Sequence, residues 1–552
     1  MGQTHSAGKV VTANVKPVNS SDKDGWHRPV SYAICASGGG TRALSYTMGI
    51  YRALSSLNLF QKFDVVSSVS GGTWCSSVFM YAKTYKGQAI STEELVGAAT
   101  NPSQLSMPVL EQPSAPLASG VTQGDSDKIL VELGVEFLGR EWEVWPHLIS
   151  RWLLRNFDEL KEMNTYMALD DEEVKRVKEN NKQLSEKVFV TPRTDRPKMF
   201  VMNGTVLAPL GKEASNDNAV SFQMTPDFIG SPFYPNNEQV VYHEASDKRG
   251  VTWSSRCCST KRTVGGGFVE AFAFGGDAPL KQNGGEDIPV GEPDAPWALP
   301  YSVGTSSWAP AGFFNRNRKD GKILNIRRSY WPVTSSQLPQ KQSAIEYEFG
   351  DGGLIDNAGI LALLQRKAPK IVWVASGAFA FSTTYDWANA TVETFDPKAA
   401  GVVDMLYVLF GYDVNESTSY QNNNQVFAKE LCFPICQELR ALQDQGKPVV
   451  LRKKLKVMQN DWWGIAGDWE VEWIVLYLAK STDFESQLPA DTQAEIAKGD
   501  NGKFANYPIY KTELQNGVGD SIGYTPAQVN LLAAQGEYSV MSNAAMFKEL
   551  LS

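Results

Sequence analysis

The sequence predicts an α/β protein with three layers (α/β/α), in which helices cover both faces of a mainly parallel central sheet. Two segments predict this class, because each passes from a short apolar run through a glycine-rich turn into a helical pattern. The first joins a strand over residues 31–36 to a helix over 43–54, and the second joins a strand over 63–69 to a helix over 74–85. Successive strand–turn–helix units are typical of parallel sheets.

The composition favours a globular protein. Of the 552 residues, 42% are apolar and 11% aromatic, which is enough to bury a large core, and 20% are charged. Lysine and arginine number 52 against 61 acidic residues, so the net charge of −9 provides no basic field for a phosphate backbone. We therefore expect no nucleic acid among the partners.

The cysteine and histidine content predicts neither a metal site nor a cofactor. Six cysteines contain no C-x-x-C pair, and four histidines are too few to complete a metal site with them. No apolar run approaches the roughly 18 residues of a membrane span, and the first residues lack the apolar core of a secretory signal. We expect a cytoplasmic protein.

The chain is predicted to form one domain, residues 29–552, after a flexible arm at residues 1–28 that is polar and poor in aromatic residues. Helical stretches over about residues 100–195 interrupt the strand–helix alternation and predict a large insertion that caps the core as a lid. The strands predicted after the insertion are Met199–Val206, Phe268–Phe274, Ile345–Phe349, Ile371–Ala375 and Glu472–Leu478.

Ser70 is the candidate nucleophile. It follows an apolar strand and precedes a helix, in a turn where the residues two before and two after must be small; here they are Ser68 and Gly72. The G-x-S-x-G pattern has glycine at the first of these positions, and serine meets the same steric demand. The alternative is an ordinary Ser/Gly turn between a strand and a helix.

A glycine cluster at Ser37-Gly38-Gly39-Gly40-Thr41-Arg42 is the second candidate feature. Consecutive glycines at a helix start let backbone N–H groups converge on an anion, such as an oxyanion. The pattern is neither G-x-G-x-x-G nor a P-loop, so nucleotide binding has weak support. Arg42 can offer a bidentate fork to a phosphate or carboxylate, or it can be a surface arginine on the first helical turn.

Asp351 is the candidate base, because it ends an apolar strand and is flanked by glycines, at the sheet edge where ligands gather in open α/β folds. A turn-forming Asp-Gly is the alternative. The α/β-hydrolase order places a histidine last, but His5, His27, His147 and His243 all precede Asp351. Ser70 must therefore be activated by a histidine from the arm or insertion, or by Asp351 directly.

Together the three motifs resemble those of patatin-like lipid acyl hydrolases, and within them the cytosolic phospholipase A2 catalytic domain. That family pairs an S-G-G-G-x-R-A loop with serine in G-x-S-G-[SG]-T-W and aspartate in D-x-G. The resemblance implies that Ser70 and Asp351 form a Ser-Asp dyad, that Gly39, Gly40 and Gly71 donate to the oxyanion, and that Arg42 contacts phosphate.

Similar stretches extend over about residues 31–545, among them Thr305-Ser-Ser-Trp-Ala-Pro. Two departures from the family are Ser68 in place of its glycine and the lack of a calcium-dependent lipid-binding module before the catalytic part. Calcium recruitment is therefore not carried over to this chain.

Two features predict peripheral contact with the cytosolic face of a membrane. The start fits the N-myristoylation pattern M-G-x-x-x-[ST], with Gly2 as the acylated residue, although one such chain gives only marginal attachment. In the insertion, apolar residues recur at helical spacing from Trp145 to Phe157. This stripe is either core packing or a lid that opens on lipid.

The predicted function is hydrolysis of fatty-acyl esters of phospholipids or lysophospholipids through an acyl-enzyme on Ser70. The partners expected are the membrane surface and the lipid substrate. An acyltransferase with the same dyad and a non-catalytic, membrane-tethered lipid-binding scaffold are the alternatives.

Overall fold

The computed structural model describes residues 9–18, 29–123, 125–232, 240–243, 260–262, 264–280, 284–316, 324–333, 342–414, 419–510 and 522–552. Thirteen strands within these ranges form one mixed sheet, and helices flank both of its faces, which confirms the predicted α/β class. The strands are β1 (Val10–Pro17), β2 (Tyr32–Ala36), β3 (Val65–Val69), β4 (Met199–Pro209), β5 (Val220–Met224), β6 (Phe228–Ser231), β7 (Gly267–Glu270), β8 (Gly285–Gly291), β9 (Ile326–Tyr330), β10 (Ile345–Asp351), β11 (Lys370–Ala375), β12 (Val450–Val457) and β13 (Trp469–Tyr477).

The described helices of five or more residues are α1 (Gly40–Ser56), α2 (Ser70–Tyr81), α3 (Thr92–Val96), α4 (Ser119–Gln123), α5 (Ser126–Glu136), α6 (Val144–Leu148), α7 (Asp171–Asn180), α8 (Leu299–Ser306), α9 (Ala311–Arg316), α10 (Leu361–Gln365), α11 (Cys432–Asp444), α12 (Ala490–Ile496), α13 (Pro526–Met541) and α14 (Ala544–Leu550). A π-helical turn at Ile149–Leu153 follows α6. Each predicted strand overlaps an observed one, although only the first part of the Phe268–Phe274 segment is extended.

Parallel pairing is confined to the centre of the sheet. The strand order is β8-β1-β7-β6-β5-β4-β3-β2-β11-β13-β12, with β10 and β9 added beside β4. Parallel pairing joins five strands that are consecutive in this order: β4, β3, β2, β11 and β13. The other pairings in the sheet are antiparallel. The expectation of a mainly parallel sheet is therefore correct for this block of five strands and wrong for the strands outside it.

Two cores lie on opposite faces of the parallel block. Alternate residues of β2 and β11 enter different cores: Ile34 and Val372 face the core that contains α1, α2 and α13, whereas Cys35 and Trp373 face the core that contains α10 and α11. Burial on both faces explains why these strands are apolar throughout rather than alternating. The carboxyl ends of β2 and β3 meet at one edge, where α1 and α2 begin.

The predicted flexible arm contains a strand, so that prediction is wrong for residues 10–17. β1 pairs antiparallel with β7 and β8, and its alternate residues Val11, Ala13 and Val15 are buried. This period of two is the pattern of a half-buried strand. Gly2 and the other residues of 1–8 and 19–28 lie outside the described residues.

The segment between α2 and β4 holds the short helices α3–α7, at the place where the helical insertion is predicted. Its apolar stripe packs inside the molecule: Trp145 is 7% exposed, and Leu148, Ile149, Trp152, Leu153 and Phe157 are less exposed. The Trp152 ring meets the Trp74 ring of α2 edge-on at 5.4 Å between centroids. The core-packing interpretation of this stripe is therefore the correct one.

None of the described helices is both long and apolar enough to span a lipid bilayer.

Candidate active site

Ser70 sits at the junction of β3 and α2, and it is the first residue of that helix. Its φ of 51° is in the left-handed region, which a non-glycine residue adopts only under local strain. A β-carbon on Gly72 would lie 2.4 Å from the carbonyl oxygen of Ala36, so the end of β2 forbids a larger residue there. This sharp turn has the features expected of a nucleophile elbow.

The glycine cluster lies directly against this turn. Gly39 and Gly40 have φ values of 135° and 56°, and no side chain caps the start of α1. A β-carbon on Gly71 would lie 2.0 Å from the carbonyl oxygen and 2.6 Å from the amide nitrogen of Gly40. The start of α1 and the second residue of α2 are therefore in contact, where the partial positive charges of two helix N-termini add.

The register of the strands on β4 brings Asp351 close to Ser70. β3 pairs with the first half of β4, with Val69 opposite Asn203, and β10 pairs with the second half, with Asp351 opposite Gly204. Since β5 occupies the other edge of β4, β3 and β10 share one edge and their carboxyl ends meet. Asp351 thus ends a strand antiparallel to β4, and not a strand of the parallel block.

Asp351 and Ser70 are in contact and largely shielded from water. The Ser70 hydroxyl hydrogen-bonds to the Asp351 carboxylate, and the amide of Gly353 donates to Asp351 Oδ1 at 2.7 Å. Asp351 is 3% exposed and Ser70 is 9% exposed. Burial raises the pKa of Asp351 to about 7, against the opposing effect of these two hydrogen bonds.

A second buried carboxyl group nearby has a different role. Asp356 accepts hydrogen bonds from the amides of Ala358, Gly359 and Leu361 at 3.0–3.1 Å. Burial raises its pKa to about 6, and these amide donors oppose the shift. Both of its oxygens are thus committed to the backbone before α10, so Asp351 is the carboxylate available to Ser70.

Arg42 is 2% exposed, and so it is not the surface arginine of the simpler interpretation. Its Nε donates to the carbonyl of Ser376 at 3.2 Å and its Nη1 to the carbonyl of Tyr510 at 2.7 Å. Among the described residues Nη2 has no acceptor, and it lies 2.9 Å from where a β-carbon of Gly39 would stand. Burial lowers the pKa of the guanidinium. Arg42 therefore ties the start of α1 to the carbonyls of Ser376 and Tyr510, and its Nη2 lies beside Gly39.

The two described histidines lie away from Ser70 and Asp351. His147, in the insertion, packs against the Phe137 ring at 4.4 Å, and its Nε2 lies 4.0 Å from a Glu143 carboxylate oxygen. His243 is exposed, and His5 and His27 lie outside the described residues. Of the two routes of activation that the sequence left open, the geometry favours the direct one through Asp351.

Sequence reasoning gave no role to Ser306, which lies within the Thr305-Ser-Ser-Trp-Ala-Pro stretch. Its Oγ accepts a hydrogen bond from the amide of Ser70 at 3.2 Å. The signal available was that resemblance alone, because nothing in local spacing connects α8 with the serine turn. Within the described residues, no group of three or more His, Cys, Asp or Glu side chains is arranged to hold a metal ion.

Comparison with solved structures finds human GIVD cytosolic phospholipase A2, with a TM-score of 0.46 and 11% identity over 94% of this chain and 60% of that one. The same human enzyme in complex with the inhibitor methyl gamma-linolenyl fluorophosphonate and terbium chloride gives a TM-score of 0.42 and 12% identity, over 94% of this chain and 58% of that one. This chain thus spans about three fifths of the length of that protein. No protein-family model matches the sequence, and no curated protein is significantly similar to it.

Proposed function

We propose that this protein is a serine acyl hydrolase that cleaves fatty-acyl esters of phospholipids or lysophospholipids through an acyl-enzyme on Ser70. One observation carries the proposal: the hydroxyl of a strained, left-handed serine hydrogen-bonds to a buried carboxylate whose pKa is raised to about 7. A carboxylate with its ordinary pKa is a poor base for a hydroxyl, whereas one with a pKa near neutrality accepts the proton more readily.

In the proposed acylation, the Ser70 oxygen attacks the carbonyl carbon of the ester while its proton passes to Asp351. The carbonyl oxygen becomes an oxyanion, which the amides of Gly39, Gly40 and Gly71 stabilise at the meeting point of α1 and α2. The intermediate then expels the alcohol, which is a lysophospholipid when the substrate is a phospholipid, and this alcohol takes the proton from Asp351.

In the proposed deacylation, a water molecule gives its proton to Asp351 and attacks the acyl carbon, and the fatty acid leaves as Ser70 recovers its proton. An ester suits such a dyad because its alcohol needs less protonation on leaving than the amine of an amide. Nη2 of Arg42, beside Gly39, is the group that we assign to the lipid phosphate.

We also propose peripheral association with the cytosolic face of a membrane, through a surface other than the predicted stripe. Helix α5 of the insertion and the turn after it present Val131, Val135 and Leu138 at intervals of four and three residues, and these side chains are 69%, 68% and 71% exposed. Three large, exposed apolar side chains within eight residues are suited to the acyl boundary of a bilayer. Acylation of Gly2 would be the second attachment.

A serine-directed fluorophosphonate probe tests the catalytic proposal. Wild-type protein should be labelled on the Ser70 peptide, and Ser70→Ala should not be labelled. Mass spectrometry of the products from a phospholipid should then show a free fatty acid. Transfer of the acyl group to an added alcohol in preference to water would identify an acyltransferase, and absence of labelling in the folded wild type would favour the scaffold alternative.

A further inference from the structure

The segment Ser306-Ser307-Trp308, which follows the body of α8, contacts both members of the dyad and the insertion. Ser306 Oγ accepts from the amide of Ser70 at 3.2 Å, and the carbonyl of Trp308 accepts from the amide of Asp351 at 3.2 Å. Between them, Ser307 Oγ accepts from the indole of Trp145 at 3.3 Å. Three consecutive residues therefore bind the serine turn, the acid and the helical insertion.

Ser306 also belongs to a chain of buried hydroxyl groups. Its Oγ lies 2.8 Å from Thr73 Oγ1, which lies 2.9 Å from Ser68 Oγ. All three residues are 0% exposed. A hydroxyl group donates one hydrogen bond and accepts up to two, and each member of this chain has at least one hydrogen-bond partner within the protein. Ser68 stands where G-x-S-x-G has glycine. Its hydroxyl bonds to Thr73, a hydrogen bond that a glycine could not make.

The amide of Ser70 needs such a partner. It is the first N–H group of α2, which no side chain of the residue before the helix caps, and it belongs to a residue held in a strained conformation. A buried amide without a partner is costly, and a left-handed serine persists only when its surroundings hold it there.

We propose that Ser306 is a positioning residue for Ser70: its hydroxyl, supported by Thr73 and Ser68, holds the nucleophile in the left-handed conformation from which its side chain reaches Asp351. In the same segment, the backbone carbonyl of Trp308 accepts a hydrogen bond from the amide of Asp351 and so helps to hold that residue in place. This inference rests on the proposed function, since it assigns a role in the reactivity of Ser70.

The test compares Ser306→Ala with Ser302→Ala. Ser302 lies one turn earlier in α8 and is equally buried, and the hydrogen bond of its hydroxyl is to the sulfur of Met167 at 3.7 Å. The measurement is the second-order rate of fluorophosphonate labelling per folded molecule, with the Ser70 peptide quantified by mass spectrometry and the melting temperature recorded for each variant.

We expect Ser306→Ala to be labelled about 10- to 100-fold more slowly than wild type, as the loss of one partner of a buried amide implies. Ser302→Ala should stay within about threefold of wild type, since its hydroxyl bonds only to a sulfur, a weak acceptor. Ser306→Thr, which keeps the hydroxyl, should recover most of the rate. A merely structural role would instead lower the melting temperature of both alanine variants and leave labelling per folded molecule unchanged.

The outcomes separate this inference from the proposed function. If folded wild type is not labelled on Ser70, the proposed function fails and the inference fails with it. If wild type is labelled and Ser306→Ala reacts as fast as Ser302→Ala, the inference alone is overturned. Should Ser306→Ala not fold, Thr73→Val breaks the chain at its next link: slower labelling than wild type supports the inference, and an unchanged rate overturns it.

Discussion

The carboxylate of Asp351 accepts a hydrogen bond from the hydroxyl of Ser70, and burial raises the pKa of that carboxylate to about 7. The two residues are far apart in the sequence and meet because β3 and β10 end against each other on one edge of β4.

The ionisation of Asp351 should set the acid limb of the pH profile. The proposed base must be charged to accept the proton of Ser70, so kcat/KM for a soluble ester should rise with pH and level off above about 7. Asp351→Asn should lose at least about a thousandfold of the activity, because an amide cannot take the proton. Initial rates between pH 5 and 9 test this, and a profile that is already level at pH 5, as an ordinary carboxyl pKa of 3.8 would give, would contradict it.

The raised pKa of Asp351 also predicts that its charged carboxylate lowers the stability of the fold. The folded state binds the proton of Asp351 more tightly than the unfolded chain does, so the contribution of this group to stability is highest below about pH 4 and falls as the pH rises to about 7. Asp351→Asn removes this loss. Its melting temperature should exceed that of wild type at pH 8, and the difference should shrink at pH 4. A variant less stable than wild type at pH 8 would argue that the charged form is well solvated.

Gly71→Ala should damage both the fold and the site. The new β-carbon would meet the backbone of Gly40 at 2.0 Å, and backbone cannot move as a side chain can. We expect a loss of about 1–3 kcal/mol in the free energy of unfolding and a loss of labelling by the fluorophosphonate probe.

Gly134→Ala is the matched control for this change. Gly134 lies within α5, and a β-carbon there would meet nothing within 4 Å. That substitution should be neutral or should stabilise the protein by up to about 1 kcal/mol, since alanine is the better helix former. Equal effects of the two changes in chemical denaturation would show that the contact with Gly40 is unimportant.

Arg42→Ala should lower activity on both phospholipids and neutral esters, because the guanidinium anchors the glycine cluster through the carbonyls of Ser376 and Tyr510. We expect the loss in kcat/KM to be larger for the phospholipid, since Nη2 is assigned to its phosphate. Arg42→Lys, which keeps the charge and loses the fork, should recover part of the phospholipid preference. Equal losses on both substrates would limit Arg42 to its structural contacts.

Replacing Val131, Val135 and Leu138 together by serine should weaken sedimentation with phosphatidylcholine vesicles about tenfold or more, since each side chain removes apolar area from the proposed contact. Turnover of a soluble ester should be unchanged. The control is Val188→Ser, at a side chain that is 63% exposed but lies outside α5. Unchanged vesicle binding in the triple variant would remove this surface from the proposal.

Much of the site could be predicted because its parts are local. A small-residue turn before a helix and consecutive glycines at a helix start are steric requirements that act within a few residues, as at Gly72 and Gly39. The strand in the predicted arm was also within reach, since Val11, Ala13 and Val15 alternate. The polar residues between and around these three obscure the pattern in the sequence.

The apolar stripe from Trp145 to Phe157 shows where local reasoning stops. Its periodicity predicts an apolar helical face. It does not predict whether that face contacts lipid or the rest of the protein. The structure places it against Trp74, while Val131, Val135 and Leu138, which also recur at helical spacing, are exposed.

Local sequence identifies the residues with the chemistry: a serine in a sharp turn, glycines that permit close approach of two helix starts, and Asp351 at the end of an apolar strand. Pairing between distant segments brings Asp351 to Ser70, buries its carboxyl group enough to raise the pKa, and places Ser306 of α8 against the serine turn. Turn geometry depends on adjacent residues and can be predicted from them, whereas strand register and burial depend on segments far apart in the chain.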